Sequence, residues 1–346
     1  MVLKLEAIAS ELEDARGHPK VYEVFSYPAD FTLQGLYDKW ENHELIIPKF
    51  QRKFVWKLAQ ASKLIESFLM GLPVPEIFLY KTPDEKQIII DGQQRLVSVF
   101  SFFDGHFPDN KPFALKGVQR SWEGKTYDEL DSTLQRRLRS SVLRSIFVQQ
   151  VKPRDRTSIY HVFQRLNTGG TTLTPQEVRN CVYQGRLNDL LVRLNRDDGW
   201  RRIMGVPTAD KRMRDVELIA RFFALAEPKA KYSKPMKDFI SSFMAVRRPA
   251  GSNARLEKLF RETVAKVLEG LGSRPFHLKR GLNAAVFDAV MVAFAANRRK
   301  SLPADIRQRY SRLKRNAEFA EKTTAATTDV DSVNGRIKIA RRLLFS

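Results

Sequence analysis

Three short clusters in this sequence carry residue types that handle phosphates. The densest is Ile90-Asp91-Gly92-Gln93-Gln94-Arg95. A run of isoleucines ends in polar residues, the pattern of a strand that turns directly into a helix. Gly92 permits a tight turn and a close backbone approach to a ligand. A helix starting at Gln93 offers N–H groups and a partial positive charge, which suit phosphate. Arg95 adds a planar donor fork in the first turn. Asp91 is an oxygen ligand for Mg²⁺ or another divalent cation, as phosphate sites often use. Gln93 or Gln94 can orient a water, the job a glutamine does in some nucleotide hydrolases. The plainer alternative is that Asp91 caps the helix and the rest is solvated. The local pattern leaves both readings open.

The second cluster, Phe50-Gln51-Arg52-Lys53-Phe54-Val55-Trp56-Lys57, alternates aromatic and basic residues before a helix. Arg52 can meet a phosphate while Phe54 or Trp56 lies against a base. The aromatics read better as core anchors, and Gln51 and Arg52 as functional. The third cluster is Phe163-Gln164-Arg165-Leu166-Asn167-Thr168-Gly169-Gly170. Paired glycines after an asparagine can wrap an anion through backbone N–H groups. A helix C-cap with Asn167 or Gly169 in the left-handed region is the alternative. Other chemistries lack their residues. The five histidines are scattered, with no His-x-x-x-His or Cys-x-x-Cys spacing, so a zinc site is not expected. No G-x-x-x-x-G-K-[ST] or G-x-S-x-G run occurs. The single cysteine, Cys181, forms no internal disulfide and fits a reducing compartment. It is expected to face the core of the helix after Pro175.

These clusters need positioning elements. Phe31–Trp40 reads as a short helix with Leu33, Leu36 and Tyr37 on one side, after an extended lead-in through Tyr22, Val24 and Phe25. Residues 44–48 read as a short strand stopped by Pro48. Leu58–Met70 has helical spacing, and Gly71 is placed to end it. Glu76–Lys81 and Lys86–Asp91 read as paired strands around a turn, and Gln93–Asp104 as the following helix. Residues 105–140 read as a loop-rich insertion and a basic helix, and Ser141–Val151 as a strand. A helix over 155–167 leads to the third cluster. Thr174 then caps the next helix, with Glu177 completing a capping box. After about residue 205 the strand signals fade, and 212–226, 236–247, 253–271, 282–300, 303–320 and 330–345 read as helices. The expected organisation is an arm (1–30), an α+β domain (31–205) and an all-α basic domain (206–346).

Charge supplies the partner class. The chain has 346 residues and a formal charge of +21. Residues 1–110 hold 12 basic and 16 acidic residues, whereas 111–346 hold 48 and 23. A basic surplus concentrated in one part points to a polyanion, usually nucleic acid. The most apolar stretch, Ala284–Ala296, is interrupted by Asp288 and is too short to span a membrane. The acidic N-terminus lacks the apolar core of a signal peptide, so a cytoplasmic protein with no membrane partner is expected.

Taken in order, IPKFQRKFVW, GLPVPEIFLY, IIIDGQQRLVSVFSFFDG and FQRLNTGGTTLTPQEVRN resemble the GmrS-type N-terminal domain family. That family comprises modification-dependent restriction and phage-defence proteins within the ParB/sulfiredoxin-like superfamily. The resemblance covers Phe31 to Leu225. It implies an α+β ParB/sulfiredoxin-like domain and associates Asp91–Arg95 with nucleotide binding and hydrolysis. The matching turn of ParB-like proteins, Gly-Glu-Arg-Arg, holds a nucleotide's phosphates. The resemblance also brings Gln51, Arg52, Asn167, Gly169 and Gly170 to the same cleft. Two departures stand out. The chain lacks the C-terminal His-Asn-His pattern that many relatives carry or obtain from a partner nuclease subunit, so the resemblance does not imply DNA cutting by this chain alone. Residues 91–95 hold no cysteine, which argues against sulfinic acid reduction.

The leading expectation is an enzyme, an NTP-hydrolysing protein that binds foreign or modified DNA in a restriction or defence system. Arg95 and Arg52 would hold phosphates, and Asp91 would bind the divalent cation or fix the turn. The alternatives are a nucleotide-switched DNA-binding module without turnover, and a metal-dependent nuclease using Asp91 with Glu66 or Glu177. The sequence leaves a homo-oligomer open.

Overall fold

A computed structural model of the chain describes residues 24–47, 54–82, 85–150, 162, 166, 174–227, 231–247, 253–278 and 281–346. Gln51, Arg52, Asn167, Gly169, Gly170, the helix expected over 155–167 and the side chain of Cys181 lie outside the described residues. The chain forms two compact units that divide at Thr174. The first is a mixed α/β unit and the second is mostly helical, as the sequence implies at that level.

The first unit is built on a five-stranded sheet. Its strands are β1 (Val24–Thr32), β2 (Leu45–Ile46), β3 (Ile77–Lys81), β4 (Gln87–Asp91) and β5 (Val142–Gln150), in the order β1-β5-β3-β4-β2. β3 runs antiparallel to β4 and parallel to β5, while β1 is antiparallel to β5 and β2 parallel to β4. The helices are α1 (Leu33–Glu41), α2 (Leu58–Met70), α3 (Gln93–Phe103) and α4 (Ser132–Ser140). Each starts or stops on local chemistry. Thr32 caps α1 by accepting from the Gly35 N–H at 3.0 Å, and Gly71 ends α2 in the left-handed region. Leu33, Leu36, Ile65, Leu96, Val99 and Phe102 from the helices share one core with Leu79, Ile89 and Phe147 from the sheet. Ile88, Ile89 and Ile90 are all buried, so both faces of β4 are covered.

β1 corrects an expectation. The lead-in expected before residue 31 is a nine-residue strand, paired with β5 over its whole length. Pro28 hides it from a propensity reading, yet an edge strand tolerates a proline because one side makes no ladder. The insertion after α3 is fastened to α2. The Lys116 N–H donates to Ser62 Oγ at 3.0 Å and the Gln119 N–H to Glu66 Oε1 at 2.8 Å.

The second unit contains α5 (Pro175–Val182), α6 (Arg186–Leu194), α7 (Asp198–Met204), α8 (Arg214–Ala226), α9 (Met236–Arg247) and α10 (Ala254–Leu271). A two-residue hairpin, β6 (His277–Leu278) and β7 (Gly281–Leu282), follows. Then come α11 (Ala284–Asn297), α12 (Ile306–Arg315), α13 (Ala317–Thr324) and α14 (Val330–Phe345). The Thr174–Glu177 capping box forms as expected. The helical part begins at Thr174, ahead of the expected residue 206, because α6 and α7 are too short to read by periodicity. The single helix expected over 303–320 is two. Asn316 separates them and caps α13 by accepting from the Phe319 N–H at 2.9 Å.

α11 is buried on nearly all sides, which fits its apolar composition. Asp288, which interrupts that apolar run, is fully buried there. Arg221 Nε donates to both of its oxygens at 2.8 and 2.9 Å, and Arg336 Nη2 donates to Oδ2 at 2.7 Å. The aspartate thus pins α8 and α14 to α11. Among the described residues no helix is long and apolar enough to cross a membrane.

Candidate functional site

The polar turn lies where β4 hands over to α3. β4 reaches it through an irregularity: Leu79 pairs with Ile89, but Phe78 pairs with Asp91. Such a shift re-aims the side chain beyond it, here Asp91. Gly92 follows at φ +98°, ψ 7°, a conformation that glycine alone adopts without strain. Space imposes the same choice. A Cβ at Gly92 would stand 2.2 Å from Ile77 Cγ2 and 2.8 Å from Ile77 Cβ. The turn therefore lies directly on the first residue of β3.

Gly92 is also the N-cap of α3, so the N-cap residue itself brings no capping side chain, and the Asp91 carboxylate makes no cap bond to α3 among the described residues. This corrects the capping alternative for Asp91. Its carboxylate turns to Arg95, with Nη2 to Oδ2 at 2.9 Å. The same Arg95 nitrogen donates to the Glu76 carbonyl at 3.1 Å. The guanidinium is thereby held over the turn from both strands of the hairpin. It is largely buried, with 18% of its side chain exposed, and its Nε is buried without an acceptor among the described residues. A buried cationic N–H with no acceptor is costly, and such groups are normally satisfied.

Gln94 has a different task from the one expected. Its Oε1 accepts from the Val55 N–H at 2.9 Å and the Trp56 N–H at 3.2 Å. The carbonyl end of Gln94 is thus committed to the loop that enters α2. Gln93 is half-buried in the first turn of α3. Phe54 and Trp56 pack against the core, and Phe54 meets Phe107 edge-on at 5.2 Å. They are anchors, as favoured for the aromatics of this cluster, and not a clamp for a base.

The extra carboxylates considered for a metal-assisted nuclease are engaged elsewhere. Glu66 accepts from the Gln119 N–H and pairs with Lys63 at 2.7 Å. The Lys63 hydrogen bond foremost holds its carboxyl below the usual carboxylate range. Glu177 closes the capping box of α5 and pairs with Arg212 at 3.2 Å. Among the described residues no three His, Cys, Asp or Glu side chains are grouped to hold a metal ion. Asp91 with one engaged oxygen does not amount to a preformed metal cage.

Sequence reasoning missed two parts of the turn. The Glu76 carbonyl is backbone and carries no residue signal. Ile77 was legible only as a strand residue. That a proline-led segment pairs beside the glycine is the one hint that it would be the neighbour the glycine must clear.

The class that emerges is a mixed α/β domain. Its inner strand breaks at a glycine that is also the N-cap of the following helix, beneath a tethered arginine. Residues 33–184, which include all three clusters, match the family model described as the N-terminal domain of the GmrSD restriction endonuclease. This part of the chain is similar to that domain family, as its motifs implied. No curated protein matches the chain.

Proposed function

We propose that the chain is a nucleotide-hydrolysing, DNA-directed protein of a restriction or phage-defence system. In this reading its first unit is a ParB/sulfiredoxin-like nucleotide domain and its second unit holds DNA. The observation that carries the reading is Arg95. Its guanidinium is fixed by Asp91 and Glu76, yet its buried Nε has no acceptor among the described residues. A phosphate oxygen beside the glycine-capped start of α3 would supply one. Asp91 then serves first as the group that aims the arginine. Gln94 acts as a positioning residue that ties the turn to residues 55 and 56, three residues on from the Gln51-Arg52 pair. Gln93, half-buried in the first turn of α3, is the candidate for orienting water. Asn167, Gly169 and Gly170 would close the cleft.

A divalent cation fits this site only as cargo of the nucleotide. Mg²⁺ commonly uses one or two carboxylates plus phosphate oxygens. Asp91 would be its protein ligand, and the ion would neutralise phosphate charge.

DNA binding is supported by where the charge lies. Residues 174–346 hold 36 basic and 18 acidic residues. Arg312 and Arg315 on α12, and Lys338 and Arg342 on α14, are exposed on helices that pack together. Phosphate contacts of this kind release counterions, so affinity should fall steeply with salt. A partner subunit would supply the nuclease.

The test is phosphate release from each of the four NTPs with Mg²⁺, with and without DNA, on the parent chain and on Arg95→Ala. Release that DNA stimulates and Arg95→Ala abolishes is expected. Equal release by the variant overturns the site. The Gln94 tie favours a second reading, in which the nucleotide shifts the 54–57 loop without turnover. Tight nucleotide binding lost in Arg95→Ala, with no release, would select it.

A further inference from the structure

The helical unit contains a cavity of about 580 Å³, within the size range of small-molecule sites. Its lining includes the apolar side chains Phe223 of α8, Leu256 of α10, and Val292 and Ala295 of α11. Four arginines line it: Arg247 from the end of α9, Arg255 from α10, Arg298 just past α11, and Arg341 from α14. Of the lining residues only Glu227 carries a negative charge.

The arginines divide into two kinds. Arg247 is paired with Glu227 and lies over the Phe243 ring at 5.2 Å. Arg298 donates to Glu262 at 2.9 Å and to the Ala295 carbonyl at 2.9 Å. Both are held in place. Arg255 and Arg341 are exposed and have no ion-pair partner among the described residues. Arg247 and Arg298 are thus neutralised in place, which leaves Arg255 and Arg341 as two cations at the cavity that an anion would join. All four are arginine, whose flat fork matches phosphate and stacks on flat rings.

We propose that this cavity is a second ligand site, which takes a nucleotide. The planar base would rest on the apolar side chains of the lining, and the phosphate would lie between Arg255 and Arg341. Two sources share this chemistry: a free nucleotide, and a nucleotide turned out of duplex DNA held by the same basic unit. The site is separate from the Asp91–Arg95 turn and does not depend on the reading of that turn.

The experiment measures binding by the full chain in an Arg95→Ala background, which silences the first site. The probes are the four deoxynucleoside monophosphates, inorganic phosphate, and a DNA duplex with a single 2-aminopurine. Ala296→Trp fills the cavity from an exposed position of its lining. Arg255→Ala and Arg341→Ala remove the unpaired cations. Each arginine change should weaken binding by about tenfold or more, and Ala296→Trp should abolish it. Helical circular dichroism equal to the parent excludes misfolding as the cause. Monophosphates binding more tightly than inorganic phosphate support the free nucleotide. A 2-aminopurine fluorescence rise lost in Ala296→Trp supports the turned-out base. The proposal is overturned if neither probe binds the Arg95→Ala protein, if Ala296→Trp leaves binding intact, or if inorganic phosphate binds as tightly as every nucleotide. Binding lost wholly in Arg95→Ala leaves the first site standing alone. Binding indifferent to Arg95→Ala but lost in Ala296→Trp leaves only the second.

Discussion

Replacing Gly92 by alanine tests the geometry of the turn most directly. Two costs combine. At φ +98° an L-residue is strained by about 1–2 kcal/mol relative to glycine. The new Cβ would also sit 2.2 Å from Ile77 Cγ2, so β3 or the turn must shift. Overpacking of this kind costs about 1–3 kcal/mol. Gly92→Ala should therefore destabilise the first unit by about 2–5 kcal/mol. The clash can be separated from the strain with Ile77→Ala. That change removes Cγ2 and leaves a cavity, at about 2–5 kcal/mol by itself. In the double variant the closest contact is gone, so the two effects should fall short of their sum by about 1 kcal/mol or more. Native-state hydrogen exchange across β3, β4 and α3 reads this unit without interference from the helical one. Gly92→Ala within about 0.5 kcal/mol of the parent, or strict additivity in the pair, would refute the reasoning.

The loop tie at Gln94 predicts a contrast between two variants. Gln94→Met removes the acceptor and should speed exchange of the Val55 and Trp56 amides at least tenfold, whereas Gln94→Glu keeps an acceptor and should not; equal behaviour refutes the tie. In the helical unit, Asp288→Ala leaves Arg221 and Arg336 buried without their shared anion. It should cost about 3–5 kcal/mol in urea unfolding, and a loss below about 1 kcal/mol would contradict the pin. Acid should weaken both units. Lys63 holds Glu66, and Arg193 and Arg261 hold Glu257, below the usual carboxylate range. A lowered folded-state value adds stability that is complete above the unfolded value of about 4.3 and is lost as pH falls through the folded value. The urea midpoint should therefore drop between about pH 5 and pH 3, and Glu66→Gln should flatten the drop in the first unit. A midpoint unchanged at pH 3 would contradict these pairings.

The sequence reveals most clearly what is fixed by neighbours along the chain. Ile88–Ile90 followed by Gly92 announces a buried strand and an abrupt turn, and both are present. Gly71 and the Thr174–Glu177 box likewise mark helix ends by local hydrogen bonding. What depends on distant partners was not legible. Gln94 looks like a water-orienting residue until Val55 and Trp56 arrive at its carbonyl from 39 and 38 positions away. β1 looks like a lead-in because its strand character comes from pairing with β5, not from its own residues. The break at Asn316 is the opposite case. Its cap is local, and an asparagine inside a polar helical run was a readable signal.

The strand order has a consequence for when the protein can first act during its own synthesis. β5 lies between β1 and β3, and it is the last strand of the sheet to leave the ribosome. Until residue 150 has emerged, β1 has no strand to pair with and β3 lacks one of its two neighbours. The clamp of Arg95 on Glu76 and the seat of Gly92 on Ile77 both rely on β3 being held. Closing such separated segments comes late in folding. A growing chain therefore carries the polar turn for more than fifty residues before the turn has its working shape. Most of the helical unit follows only after Thr174. The order of synthesis thus keeps the Asp91–Arg95 turn ahead of most of the basic helical unit, with neither complete in a short fragment.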